Sequence, residues 1–233
     1  MTTVVILQPS LWPWLGATEQ IYRSDCFVFY CDVQYSKNDW RNRNRIKTSN
    51  GVQWLTVPVR HGHRFGERIC DVEIDNNQRG WREDHLKALE LNYKRAPQFH
   101  RLFPELQEFY AKPWSTLEGI AEESIRLLCR VLGLERQFVC SRTLGIEGRR
   151  SGRLLKICKH FNASAYYSGA AAKDYLEREI FQQTGIEVTF QDYHHPTYPQ
   201  LWGAFEPYLS TLDLLFNVEG AEALSIIRQG GSS

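Results

Sequence analysis

Residues 26–31 (CFVFYC) run without a charged or amide side chain, and residues 3–7 (TVVIL) are similarly apolar and β-branched. A strand with one wet face alternates polar and apolar positions, so continuous runs like these read as strands covered on both faces, as in a parallel sheet between helical layers. Between them Gln8-Pro9 ends the first run and Ser10 offers a cap. Trp14, Leu15, Ala17 and Ile21 then fall at helical spacing over residues 14–23. Strand, helix and strand in this order make a βαβ start, which constrains the rest of the chain to a sheet with crossover helices.

The alternation returns later. Residues 138–144, 165–167 and 186–193 read as strands, and residues 151–161 and 170–184 as helices. The middle has a different character. Residues 46–59 read as a hairpin about Ser49-Asn50-Gly51, and residues 69–74 could add a third strand. Helices follow over residues 81–93, 104–110 and 115–132, the last with Glu118 three places after Ser115. Two short helices, 212–216 and 221–228, close the chain. The expected fold class is α/β: a Rossmann-like, mostly parallel sheet with helices on both faces. One domain over residues 1–233 carries a β insertion near 46–75 and a helical insertion near 81–133.

A hydrophobic content of 42% supports a sizeable core. The cysteines lack CxxC spacing and sit mostly in apolar runs, so they read as small buried hydrophobes in a reducing compartment. The N-terminus has no basic region before its short apolar run, and no window is apolar enough to span a membrane. The expected location is cytoplasmic, with no membrane partner; the closing Gly-Gly-Ser-Ser reads as a tail.

The chemistry concentrates after the second strand. Lys37, Arg41, Arg43, Arg45 and Lys47 follow one another with Asp39 the one acid among them. Guanidinium forks bind phosphate and carboxylate bidentately, so the run suggests an anion site. If extended, it places Arg41, Arg43, Arg45 and Lys47 on one face and Asn42, Asn44 and Ile46 on the other. The competing reading is a solvated edge strand whose charges deter aggregation. A net charge of +1 argues against a general nucleic-acid binder, which would carry a basic excess.

Ligands of open parallel sheets bind beyond the carboxyl ends of the strands. Here those ends read Gln8-Pro9-Ser10, Asp32-Val33-Gln34, Ser141-Arg142, Ser168-Gly169 and His194-His195. Asp32 could serve as a base or as an acceptor of backbone amides; Ser168-Gly169 could present a helix N-terminus to an anion or simply cap that helix; His195 could be a general base or a core imidazole. His61 and His63, with His194 or Asp32, could ligate a metal but lack a third ligand at a recognisable spacing. No tightly bound metal or cofactor is expected, and no Rossmann glycine fingerprint, P-loop, HExxH or GxSxG motif is present.

The runs QPSLWPWLG, FVFYCDVQYSKNDWRNRNRIKT, WLTVPV, YYSGAAAKDYL, HHPTYPQ and STLDLLFN resemble the WbqC-like family of bacterial proteins over essentially the whole chain. The resemblance implies a place in surface-polysaccharide or amino-sugar biosynthesis. Gln8, Asp32, Gln34, Lys37, Arg43, Asn44, Lys47, Ser168, Gly169, Tyr175, His195, Pro196 and Tyr198 fit the family pattern. Leu7 stands where a histidine usually precedes Gln-Pro, and Cys31 where a second acid usually precedes Asp32; were that histidine the family's base, this chain would use another group.

The expected function is acyl or aminoacyl transfer to an amine, with a phosphate-containing small molecule as the partner. Arg41, Arg43 and Lys47 would hold the phosphate, and Asp32 or His195 would move the proton of the attacking amine. Ser168 with the following helix would stabilise negative charge. Gln8, Gln34, Lys37, Asn44, Gly169, Tyr175 and Tyr198 would complete the substrate site. The alternatives are Mg²⁺-dependent nucleotidyl transfer, as in nucleotidylyltransferase-like Rossmann folds, and a protein that binds a nucleotide sugar or RNA without turnover. The oligomeric state is left open.

Overall fold

The structure, a computed structural model, describes residues 1–37, 39–60 and 66–231. Its centre is a sheet of five parallel strands: β1 (Thr3–Leu7), β2 (Cys26–Phe29), β7 (Gln137–Cys140), β8 (Ala165–Ser168) and β9 (Glu187–Phe190), in the order β7-β2-β1-β8-β9. The helix α1 (Leu15–Arg23) joins β1 to β2. Alternate side chains serve opposite layers, as the strand period requires. Val5, Phe27 and Phe29 join one apolar cluster, whereas Val4, Ile6, Cys26 and Val28 join the other. The second cluster is closed by α5 (Arg150–His160) and α6 (Arg178–Gln182), so the sheet is covered on both faces.

The insertion hairpin pairs β3 (Arg43–Thr48) with β4 (Gly51–Thr56), Thr48 opposite Gly51 across Ser49-Asn50. Gly51 takes φ 103°, a left-handed conformation that favours glycine. Residues 69–74 do not extend this hairpin. They form a 3₁₀ turn (Ile69–Asp71) and a short strand, β6 (Glu73–Ile74), which pairs with β5 (Val59–Arg60) in a separate ribbon. Burial of Ile69, Val72 and Ile74 replaces the alternation a longer strand would need.

Three helices follow: α2 (Trp81–Tyr93), α3 (Phe99–Ala111) and α4 (Leu117–Leu132). Pro104 lies inside α3 rather than opening it. An interior proline costs roughly 3 kcal/mol, and the buried face of Phe99, Leu102, Phe103, Leu106, Phe109 and Tyr110 outweighs that loss. The cap of α4 is Thr116, whose hydroxyl accepts from the Gly119 amide at 3.2 Å; the sequence pointed to Ser115. The strand expected over residues 138–144 stops at Cys140 and turns into a 3₁₀ segment (Ser141–Leu144).

The helix expected over residues 170–184 is broken. A 3₁₀ segment (Ala170–Asp174) and the five-residue α6 flank an irregular stretch. Ala172, Leu176 and Phe181 all enter the second cluster, and the Glu177 amide donates to the Ser151 hydroxyl at 3.1 Å, so packing overrides helix propensity. No helix N-terminus therefore stands behind Ser168. The chain ends with α7 (Thr211–Asn217) and α8 (Gly220–Gln229). Among the described residues no helix is long and apolar enough to cross a membrane.

Candidate functional site

The carboxyl ends of β1, β2 and β8 open on a cavity of about 490 Å³. Gln8 follows β1, Tyr30 follows β2, and Ser168 and Gly169 end β8; Arg41, Arg150 and Tyr175 complete the polar part of the wall. A second cavity of about 470 Å³ has an aromatic wall of Trp14, Trp40 and Tyr208, together with Gln20 and Arg45. Leu7 and Arg41 belong to both. The two form adjoining compartments, one cationic and hydroxylic, the other aromatic.

Arg41 is half-buried and aimed by two acceptors. Its guanidinium donates to the Gln8 carbonyl at 3.0 Å and to the Asp39 carboxylate at 3.3 Å. Arg150 is exposed and has φ 48°, an uncommon backbone conformation for a side-chain-bearing residue. Arg45 donates to the Tyr208 carbonyl at 2.8 Å and lies over the Trp40 ring at 5.3 Å, which fixes part of the aromatic wall. Trp14 needs Gly16: a Cβ there would stand 2.2 Å from its ring.

The rear of the aromatic compartment is a buried polar network. Glu19 is fully buried and accepts from Arg23 at 2.8 Å, Tyr167 at 3.0 Å and Gln191 at 2.7 Å. Gln20 donates to Gln191 at 3.0 Å, and its own amide oxygen is buried without a hydrogen-bond partner. Such a group costs on the order of 1–3 kcal/mol; a ligand donor in the compartment would recover it.

Of the site residues expected from sequence, Gln8, Arg41, Ser168, Gly169 and Tyr175 meet at the first cavity. Gly169 is not needed for space there, since an added Cβ would meet only the Gln20 amide at an ordinary 3.5 Å. Gln34 and Lys37 are exposed and belong to none of the cavities described here. Arg43 stacks over Trp54 at 4.5 Å. The alternation across β3 holds, with Asn42, Asn44 and Ile46 on the buried face. Asn44 there spends its amide on the Leu11 and Trp12 carbonyls.

Lys47 is buried rather than facing a ligand. It donates to Gln200 at 3.0 Å and to the Ala204 carbonyl. Tyr198 donates to Asp213 at 3.0 Å, and Tyr93 donates to the same carboxylate at 2.6 Å. These residues tie β3, α2 and α7 to the C-terminal loop.

Asp32 lies beside a smaller cavity of about 300 Å³, where it pairs with Arg153 and accepts from the Ser141 hydroxyl. Burial alone would raise its pKa, but the Arg153 and Ser141 hydrogen bonds prevail and hold it below the usual carboxylate range. It is an anchored anion, poorly suited to taking a proton. His195 sits among Trp14, Tyr198, Phe205 and Tyr208, behind the aromatic wall. Its Nδ1 donates to the Pro196 carbonyl at 3.0 Å, which leaves Nε2 as the acceptor nitrogen, buried without a partner; burial lowers its pKa.

Sequence reading missed Tyr30, Arg150, Gln20 and the aromatic wall. The run Gly148-Arg149-Arg150-Ser151-Gly152-Arg153 before a helix was the available signal for Arg150 and Arg153. His61 and His63 lie outside the described residues. The cysteines divide differently from expectation: Cys26, Cys129 and Cys158 are buried thiols, but Cys31 and Cys140 form a disulfide across the paired ends of β2 and β7.

A model of the WbqC-like protein family matches residues 8–225. A protein of Mycobacterium tuberculosis, itself named as uncharacterized, is 40% identical over 230 residues, covering 98% of this chain and 98% of its own. No solved structure matches.

Proposed function

The chain belongs to the WbqC-like protein family, and from that premise and the paired compartments we propose that it binds a nucleotide-linked sugar as a transferase of surface-polysaccharide or amino-sugar biosynthesis. The observation that carries this reading is the shared position of Arg41, in the wall of both compartments. A nucleotide base stacks on Trp14, Trp40 or Tyr208, the phosphates meet Arg41 and Arg150, and the sugar extends toward Ser168 and Tyr175. Gln20 offers its unpaired amide oxygen to an N–H donor of the base. The transferred group is acyl or aminoacyl and the acceptor an amine of the sugar; atoms are moved by orientation and charge neutralisation, and the amine proton goes to solvent. Neither cavity wall contains a described carboxylate or imidazole, so Asp32 and His195 are given supporting roles here.

That same lack of a wall base favours one second reading, a sugar-nucleotide binding protein without turnover. Calorimetric titration with nucleoside diphosphate sugars, in parallel with Arg41→Ala and Arg150→Ala, tests the site. The expected loss is about tenfold or more in affinity for each variant, in line with a charged hydrogen bond of roughly 1.5–3 kcal/mol, with thermal unfolding of Arg150→Ala little changed. Failure of every such ligand to bind would overturn the reading. Binding without product on addition of amine acceptors and activated acyl donors would select the non-catalytic form.

A further inference from the structure

On the far side of β2 from the cleft, α4 carries Glu118 and Glu122 one turn apart, and both face Cys31 and Cys140 at the ends of β2 and β7. A ligand atom from each of the four lies within 4.8 Å of every other. We propose that, when the two cysteines are reduced, these four residues form a closed site for a divalent cation of the zinc class.

Three features support it. Thiolate and carboxylate are both zinc ligands, and about 2.3 Å to sulfur and 2.0–2.2 Å to oxygen places tetrahedral ligands closer together than the present spread, within reach of side-chain rotation. The Glu122 Oε1 atom is buried with no hydrogen-bond partner, a cost that coordination would remove. The outer contacts are those of a metal site as well: Arg142 donates to Glu118 at 3.0 Å and Arg126 stands 3.7 Å from the other Glu122 oxygen. Two thiolates and two carboxylates exceed those two arginines by the charge of one divalent ion. Four protein ligands leave no open position, so the site is structural, clamping the end of β2 to the sheet edge beside Asp32.

The disulfide is the competing state of the same pair. A trialkylphosphine breaks it: phosphorus is oxidised to the phosphine oxide with the oxygen of water, both sulfurs become thiols, and the cation displaces their two protons.

The test is Co²⁺ titration of the phosphine-reduced full chain, followed by Zn²⁺ competition. One equivalent of Co²⁺ bound with a near-ultraviolet thiolate-to-cobalt charge-transfer band, then displaced by Zn²⁺, is the expected result. The band is lost in Cys31→Ser/Cys140→Ser, and Glu122→Gln keeps it with affinity down about tenfold or more. A reduced, folded chain without the band overturns the proposal, as does an unchanged band in the double variant. Should the double variant not fold, the Glu122→Gln affinity decides, and an unchanged value overturns the site.

Discussion

His85 illustrates how one side chain joins distant parts of the chain and what pH should do to it. Trp12 donates through Nε1 to the Tyr110 hydroxyl at 2.9 Å, Tyr110 donates to His85 Nδ1 at 3.0 Å, and His85 Nε2 donates to the Thr56 carbonyl at 3.2 Å. This order of donors requires the neutral imidazole, and burial lowers its pKa to about 4. The unfolded chain takes up a proton near the ordinary pKa of 6.5, the folded chain only near 4. Between those values the unfolded state binds more protons, so stability falls as pH is lowered through that window. The loss is on the order of 3 kcal/mol at its full extent, readable as a drop in the urea midpoint between pH 7 and pH 4.5 that is reduced in His85→Phe. A midpoint with the same pH dependence in both chains would remove His85 from the account. Gly16 offers a second residue-scale prediction. Its replacement by alanine drives a Cβ into the Trp14 ring, at a cost of about 1–3 kcal/mol, and should shift tryptophan fluorescence and weaken nucleotide-sugar binding together.

Among the elements, those ruled by local pattern were legible in the sequence and those ruled by packing were not. The boundaries of β1 and α2 coincide with the periodicity, because apolar spacing and chain punctuation agree there. Residues 170–184 failed for the opposite reason: their alanines and long polar side chains favour a helix, yet Leu176 and Phe181 are wanted in the second core in positions a single helix does not supply. The site divides in the same way. Gln8, Ser168 and Gly169 follow strands and could be found by reading what comes after each apolar run. Arg150, Trp40 and Tyr208 come from loops whose placement depends on the finished fold, and Lys47 and Tyr198 resemble ligand-binding residues in sequence but satisfy buried partners in space. The cap of α4 gives a direct check at this scale. Thr116→Ala leaves the Gly119 amide without its acceptor and should cost about 1 kcal/mol in denaturant unfolding. A change near zero would mean that water replaces the hydroxyl at no cost.

For the whole molecule, the arrangement of charge separates a small-ligand site from a nucleic-acid surface. The basic run that suggested an anion site is dispersed by folding: Arg41 enters the cleft, Arg43 and Arg45 stack on tryptophans, and Lys47 is buried against the C-terminal loop. Only Arg41, Arg45 and Arg150 border the paired compartments, and the chain as a whole carries +1. A polynucleotide held by many phosphate contacts releases one set of condensed counterions per contact, so its binding constant falls steeply with salt. A diphosphate ligand carries no condensed counterion layer and meets two or three arginines. Its affinity should therefore fall with a log–log slope of about 2 or less in magnitude between 50 and 200 mM salt, against roughly 5 or more for a polyanion spanning seven or more phosphates. Measured on the same preparation, a shallow slope for a nucleoside diphosphate sugar together with weak, steeply salt-dependent RNA binding fits the cleft. Tight RNA binding that persists in Arg41→Ala and Arg150→Ala would instead place the working surface outside the two compartments, on the exposed side of the hairpin where Lys37 and Trp54 lie.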